Sequence, residues 1–207
     1  MTFDEDFEER VRTRLNRLDA LDADPVRGDF DPMPRTNAAE IYTPAAVLAP
    51  IVRRATGFTV LLTLRSSAMP SHAGQVSFPG GRVQAEDAGP VATALRETRE
   101  ETGIAPEFIT PMGGFGMYRT GTNYIITPIV GFVDPGFTLS PDPREVEDVF
   151  ETPLAFLMDA ANHERHARDF QGVRREYYAM PWEGRYIWGV TAGMIKLLYE
   201  RLYEDAR

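Results

Sequence analysis

Three glutamates stand close together in Arg96-Glu97-Thr98-Arg99-Glu100-Glu101-Thr102-Gly103-Ile104. On a helix, Glu97, Glu100 and Glu101 fall at i, i+3 and i+4, so their carboxylates share one face. Like charges at those spacings repel, and they raise one another's pKa. A hard divalent cation relieves both effects, because Mg²⁺, Mn²⁺ and Ca²⁺ prefer carboxylate oxygens. Such a cluster can hold one or more ions and still leave room for water and phosphate. A run of this composition is also what a solvated, salt-bridged helix face looks like, so the flanks have to decide. Upstream, Phe78-Pro79 leads into Gly80-Gly81, a backbone free of side chains that can approach a phosphate or lend a carbonyl to a metal. Downstream, Gly103 suits the left-handed position that stops a helix directly after the acids.

The elements that position this group can be read from the surrounding pattern. Pro90 opens a helix that runs to about Thr102, since a proline lacks only an N–H that the first turn leaves unbonded. Residues 45–52 and 58–64 read as buried strands joined by a hairpin around Arg53–Gly57. Residues 65–89 break into Ser, Pro, Gly and His, and so long an irregular segment points to function. Met112–Tyr118, Tyr124–Val133 and a short run near Val149 read as strands. Pro153 begins a helix through Met158, and Tyr177–Met180 and Tyr186–Trp188 read as further strands. The last helix runs through Gly193–Tyr199. At the N-terminus, Phe7, Val11, Leu15, Leu18 and Leu21 make a helical stripe over residues 4–21. The Asp- and Pro-rich stretch from Asp22 to Asn37 reads as a connector. We therefore expect residues 1–37 to form a helix and connector, and 38–207 one mixed α/β domain.

Gly81 to Ile104 resembles the Nudix box. In that pattern Gly, five residues and Glu are followed by seven residues, Arg-Glu, an apolar residue, any residue, Glu-Glu, any residue, Gly and an apolar residue. Gly81, Arg96, Glu97, Glu100, Glu101, Gly103 and Ile104 match. The earlier acid is Asp87 instead of Glu, eight residues separate it from Arg96, and Thr98 stands at an apolar position. The resemblance implies an α/β/α sandwich around a mixed β-sheet and hydrolysis of a diphosphate linkage. It makes Glu97 and Glu101 ligands of Mg²⁺ or Mn²⁺, and Glu100 a ligand or the base. Arg96 would pair with a glutamate and fix its rotamer. Glu145, beside Glu147 and Asp148, would supply a ligand or base from a distant loop; these acids read equally as a solvated acidic loop.

Residues 61–81, with Leu-Leu-Thr, Arg-Ser and His-x-Gly-Gln-Val-x-Phe-Pro-Gly-Gly, resemble the coenzyme A pyrophosphatase branch of that family. Pro70 departs from it, standing where a basic residue is expected. The branch implies cleavage of coenzyme A or its derivatives to 3′,5′-ADP and 4′-phosphopantetheine. Arg65 and Arg82 are the nearest cations to grip phosphate. Each reads equally as a solvated surface arginine. His72 either meets substrate or braces the loop, with bracing favoured, and Gln75 is as ambiguous. Gly80 and Gly81 would approach the phosphates. Phe78 reads as core. His163 and His166 read as exposed helix or loop residues.

Other readings keep the chemistry and change the substrate to ADP-ribose, a dinucleotide or a nucleotide sugar, or drop the chemistry for a nucleotide-binding regulatory domain. The intact acids speak against the last. The 207 residues carry a formal net charge of −9, which disfavours nucleic acid as a partner and RNA decapping as a function. Cysteine is absent, which suits a reducing cytoplasm. No run is long and apolar enough for a bilayer, and the acidic start is unlike a signal peptide. A homodimer stays open on base rates alone.

Overall fold

The apolar run expected as a strand lies in the middle of β2 (Thr43–Arg54), and its continuous hydrophobicity has a geometric cause. β2 pairs in parallel with β8 (Tyr124–Val133) on one side and antiparallel with β3 (Gly57–Arg65) and β5 (Gly80–Arg82) on the other. A strand so enclosed is covered on both faces and carries no polar alternation. The computed structural model describes residues 2–22, 26–28, 42–170 and 173–204. Most of the connector expected over 22–37 lies outside them.

Among the described residues the mixed sheet has nine strands. Its backbone order is β1 (Arg27–Gly28), β7 (Tyr118–Arg119), β8, β2, β3 and β4 (Val76–Ser77). β5 pairs with β2, β6 (Ile109–Gly114) with β8, and β9 (Val146–Pro153) with β3. A separate antiparallel sheet joins β10 (Glu164–Phe170), β11 (Val173–Trp182) and β12 (Arg185–Trp188). One face of the large sheet packs Ala46, Leu48 and Leu61 under α2 (Pro90–Thr102), which contributes Ala94. The other face is covered by α1 (Phe3–Arg14), α3 (Leu154–Leu157) and α4 (Val190–Tyr203), through Phe7, Val11, Leu154, Leu157, Ile195 and Leu198. This is the expected α/β/α sandwich around a mixed sheet. No helix among the described residues is long and apolar enough to cross a membrane.

Several expectations need correction. The N-terminal helix ends at Arg14, not near residue 21: Leu15 is extended and Asn16 makes a β-bridge to Gly114. Met112–Tyr118 is not one strand, because the ladder of β6 with β8 ends at Gly114 and pairing resumes only at Tyr118. The final helix begins earlier and ends later than expected. His163 is a loop residue as expected but is not exposed, and His166 is neither helix nor loop. His163 follows a short 3₁₀ turn and is half-buried with Nε2 on the Leu157 carbonyl; His166 lies on β10.

Candidate active site

Pro90 begins α2 and Gly103 ends it at φ 79°, donating its N–H to the Arg99 carbonyl, so the acidic turn is held at the C-terminal end of a rigid helix. The inward side of α2 carries Thr98 and Glu101. Thr98 returns its hydroxyl to the Ala94 carbonyl, which explains how a threonine occupies a buried position.

Arg96 uses all five of its N–H donors. Nε and Nη2 hold Asp87 Oδ1 and Oδ2, both at 2.9 Å. Nη1 reaches Glu97 Oε1 at 2.8 Å and Glu100 Oε2 at 3.0 Å, and Nη2 also meets the Arg82 carbonyl at 3.2 Å. Arg96 therefore ties the loop before α2 to two glutamates of the helix. Asp87 also accepts from Thr93 Oγ1 and the Gln84 N–H. The Arg96 bond, aided by Gln84, holds its carboxyl well below the usual carboxylate range. Despite the extra residue before Arg96, this acid is the arginine's main anchor.

The glutamates differ in environment. Glu101 is 3% exposed. Burial pushes its carboxyl up to about 8, relieved in part by Arg65 and reinforced by Glu97 and Glu145. Its Oε2 is buried without a hydrogen-bond partner, and so is Arg65 Nε, while Arg65 Nη1 stands 3.9 Å from Glu101 Oε1. Burial also raises Glu97, opposed by Arg96 and reinforced by Glu100 and Glu145. Glu145 is thus near enough to raise both acids. Glu100 is the most open, with a 57% exposed side chain turned toward Arg96. Among the described residues, no group of three or more acids or histidines stands close enough together to hold a metal ion.

The glycines have separate tasks. A β-carbon on Gly81 would lie 2.6 Å from the Glu97 carboxylate, and one on Gly80 would lie 2.5 Å from the Ala46 carbonyl oxygen. The Gly80 N–H also eases the charge on Glu101. Phe78 is core, 3% exposed. His72 adopts φ 58°, and its Nδ1 meets Gln75 Oε1 at 2.9 Å, so the two side chains hold each other within the loop. Arg82 gives Nε and Nη2 to the Tyr124 hydroxyl. The loop is also joined to the segment of Glu145: the Ser66 N–H bonds the Glu145 carbonyl at 2.8 Å, and the Ser67 N–H bonds Glu147 Oε2. Asp87 and Arg65 are the participants whose positions sequence reasoning placed least well. Asp87 is separated from Arg96 by an irregular turn, and only the strand pairing brings Arg65 to Glu101.

Once ionised, a buried carboxylate with a free oxygen beside a second carboxylate raised by burial is costly, and a cation shared between them relieves that cost. Oxygen donors of this kind fit a hard divalent ion.

Residues 42–175 match the NUDIX domain, and the chain belongs to that family of metal-dependent hydrolases of diphosphate bonds. Among its relatives, the uncharacterized Nudix hydrolase NudL of Photorhabdus laumondii is 35% identical over 171 residues, 83% of this chain and 91% of its own length. The protein of the same name in Escherichia coli is 40% identical over 156 residues, 74% of this chain and 80% of its own. A crystal structure of a C. elegans Ap4A hydrolase binary complex is similar over 54% of this chain and 80% of its own, at 19% identity and a TM-score of 0.47.

Proposed function

We propose that this Nudix hydrolase cleaves the diphosphate of coenzyme A or a derivative, giving 3′,5′-ADP and the matching 4′-phosphopantetheine. The reading of the centre rests on one observation, the buried Glu101 carboxylate whose Oε2 has no partner beside Arg65 and Glu97. The substrate rests on residues 61–81 and their resemblance to the coenzyme A branch.

In this reading Glu97 and Glu101 hold Mg²⁺ or Mn²⁺, with Glu100 or Glu145 completing the set. The ion, when bound, neutralises the diphosphate and acidifies the attacking water. Arg96 fixes the Glu97 rotamer through Nη1 and is itself fixed by Asp87. Arg65, whose Nε is buried without a partner, supplies the guanidinium that binds the phosphate oxygens. Glu145, near enough to raise both ligands, takes the proton of the attacking water on its carboxylate; Glu100 is the other candidate for that step. Gly80 and Gly81 bring backbone to the phosphates, while His72 and Gln75 keep the loop in shape.

The test is incubation with coenzyme A, ADP-ribose and NADH in Mg²⁺ or Mn²⁺, with Glu101→Gln in parallel and products identified by mass. Release of 3′,5′-ADP and phosphopantetheine, abolished in the variant, is the expected result. Turnover of ADP-ribose or NADH alone would keep the metal site and sink the substrate.

A further inference from the structure

His163 is a half-buried titratable group that the acidic centre does not use. It follows the 3₁₀ turn Ala160–Asn162 and directly precedes Glu164, the first residue of β10. Its ring lies where three elements meet. Nε2 stands 2.8 Å from the carbonyl oxygen of Leu157, the last residue of α3. The ring is perpendicular to that of Tyr199 in α4, with centroids 5.1 Å apart. Asn162 Nδ2 bonds the preceding carbonyl, that of Phe156, at 2.9 Å. Two successive side chains therefore close the last two carbonyls of α3, groups that a helix end leaves open. α3 itself is firmly seated. Leu154 and Leu157 are fully buried, and the Phe156 ring lies 4.5 Å from that of Trp182 in β11. The imidazole thus joins the root of β10 to both α3 and α4.

These contacts fix where the ring carries its proton. A carbonyl oxygen can only accept, so Nε2 holds the hydrogen and the neutral ring keeps a bare lone pair on Nδ1. That nitrogen is buried and has no hydrogen-bond partner. A second proton can go only there, and it would set a charged N–H where no acceptor stands. The charged groups around the ring are divided. Lys196 of α4 opposes a positive imidazole; it lies over the Tyr199 ring at 4.8 Å and is held by Glu200 and Glu204 at 3.3 Å. Asp159 and Glu200 favour the charge, as does the Leu157 bond. Burial outweighs them and holds the ring below the ordinary histidine value. A histidine whose pKa is lower when packed than when free binds its proton more readily once released. Its site is therefore most stable above about pH 6.5 and weakens as pH falls below that.

We propose that His163 is an acid-sensitive clasp: the neutral ring holds the start of β10 to α3 and α4, and a proton on Nδ1 releases it, loosening β10 while the main sheet stays folded. The test uses the full-length protein in EDTA. Ring-nitrogen NMR shifts of the histidines are followed between about pH 8 and about pH 5, with His72→Gln and His166→Gln assigning the signals. Backbone hydrogen exchange, corrected for its intrinsic dependence on pH, is measured over the same range for wild type and His163→Gln. Glutamine keeps an uncharged N–H donor for the Leu157 carbonyl and cannot titrate. We expect His163 to show the Nε2–H tautomer and to titrate below about 6.5. Protection of Glu164–Phe170 should fall as that ring takes its second proton, with β8 unaffected, and should not fall in His163→Gln. A ring that titrates at or above about 6.5, or that carries its single proton on Nδ1, would overturn the clasp. So would an equal loss of protection in variant and wild type, or a loss over β10 and β8 together. If His163→Gln does not fold, the ring titration and the wild-type exchange still decide.

Discussion

The backbone of Gly81 lies against the carboxylate of Glu97 so closely that a β-carbon there would stand 2.6 Å from both Cδ and Oε1. Gly81→Ala should therefore push Glu97 off its position while leaving the sheet intact, because the obstacle is a side-chain end. A misplacement of about 1 Å costs about 100-fold in turnover. Gly80→Ala meets the Ala46 carbonyl and the Val47 backbone instead, which cannot step aside. It should cost about 1–3 kcal/mol of stability. Melting curves and initial rates on the same two proteins separate the effects; a stable, fully active Gly81→Ala would refute the contact's role.

Asp87 anchors Arg96 through two bonds of 2.9 Å. Asp87→Asn keeps the shape and removes the paired acceptor, so the Arg96 fork should loosen from Glu97. We expect about 10- to 100-fold loss of activity or metal affinity, the range for partners that orient ligands. Rates across a Mg²⁺ titration measure it.

Binding of a divalent ion should stabilise the fold, since Glu101 is buried with one oxygen unpartnered. At 100 times Kd the gain is about 2.7 kcal/mol, or roughly 5–10 °C for a chain of this size. Glu101→Gln should lose most of that shift. In EDTA above about pH 8, where the wild-type carboxyl is ionised, it should melt no lower than wild type, because the amide buries no charge. A full Mg²⁺ shift in the variant would count against Glu101 as a ligand.

Glu151 gives a pH-dependent term away from the site. Burial pushes its carboxyl up, but bonds from Arg54 and Thr59 outweigh that and leave it below its ordinary value. A depressed carboxylate contributes stability that is present above its unfolded pKa, about 4.3. That contribution is lost as pH falls through the lower folded value. Glu151→Gln should cost about 1–2 kcal/mol near pH 7. Melting temperatures of variant and wild type should converge below about pH 4; a constant gap would contradict the assignment.

Phe7 is fully buried, with its ring edge-on to Phe58 and Phe132. Phe7→Ala should cost about 3–5 kcal/mol, visible in urea denaturation. A loss under about 1 kcal/mol would mean that α1 packs only loosely on the sheet.

The parts legible in the sequence were those set by local chemistry. Pro90 and Gly103 bracket α2, and the apolar run Tyr124–Val133 is β8 to the residue. β10 was hidden because Glu-Arg-His-Ala-Arg-Asp-Phe has no apolar alternation; it is a strand through its ladder with β11. Leu15 and Leu18 kept the helical spacing of Phe7 and Val11, yet the bridge from Asn16 to Gly114 turns the chain away. At the site, the spacing of the three glutamates was readable. Their inequality was not: Glu101 sinks under Arg65 from β3, while Glu100 stays at the surface. Such differences depend on pairings dozens of residues apart.

The bond from the Ser66 N–H to the Glu145 carbonyl, with that from the Ser67 N–H to the Glu147 carboxylate, ties two segments distant in sequence to each other. Grafting residues 66–75 from a homologue onto this scaffold would leave the old 142–147 turn to support a foreign loop. The two segments form a single exchangeable cassette, so a change in residues 66–75 has to be accommodated by the segment that carries Glu145 and Glu147.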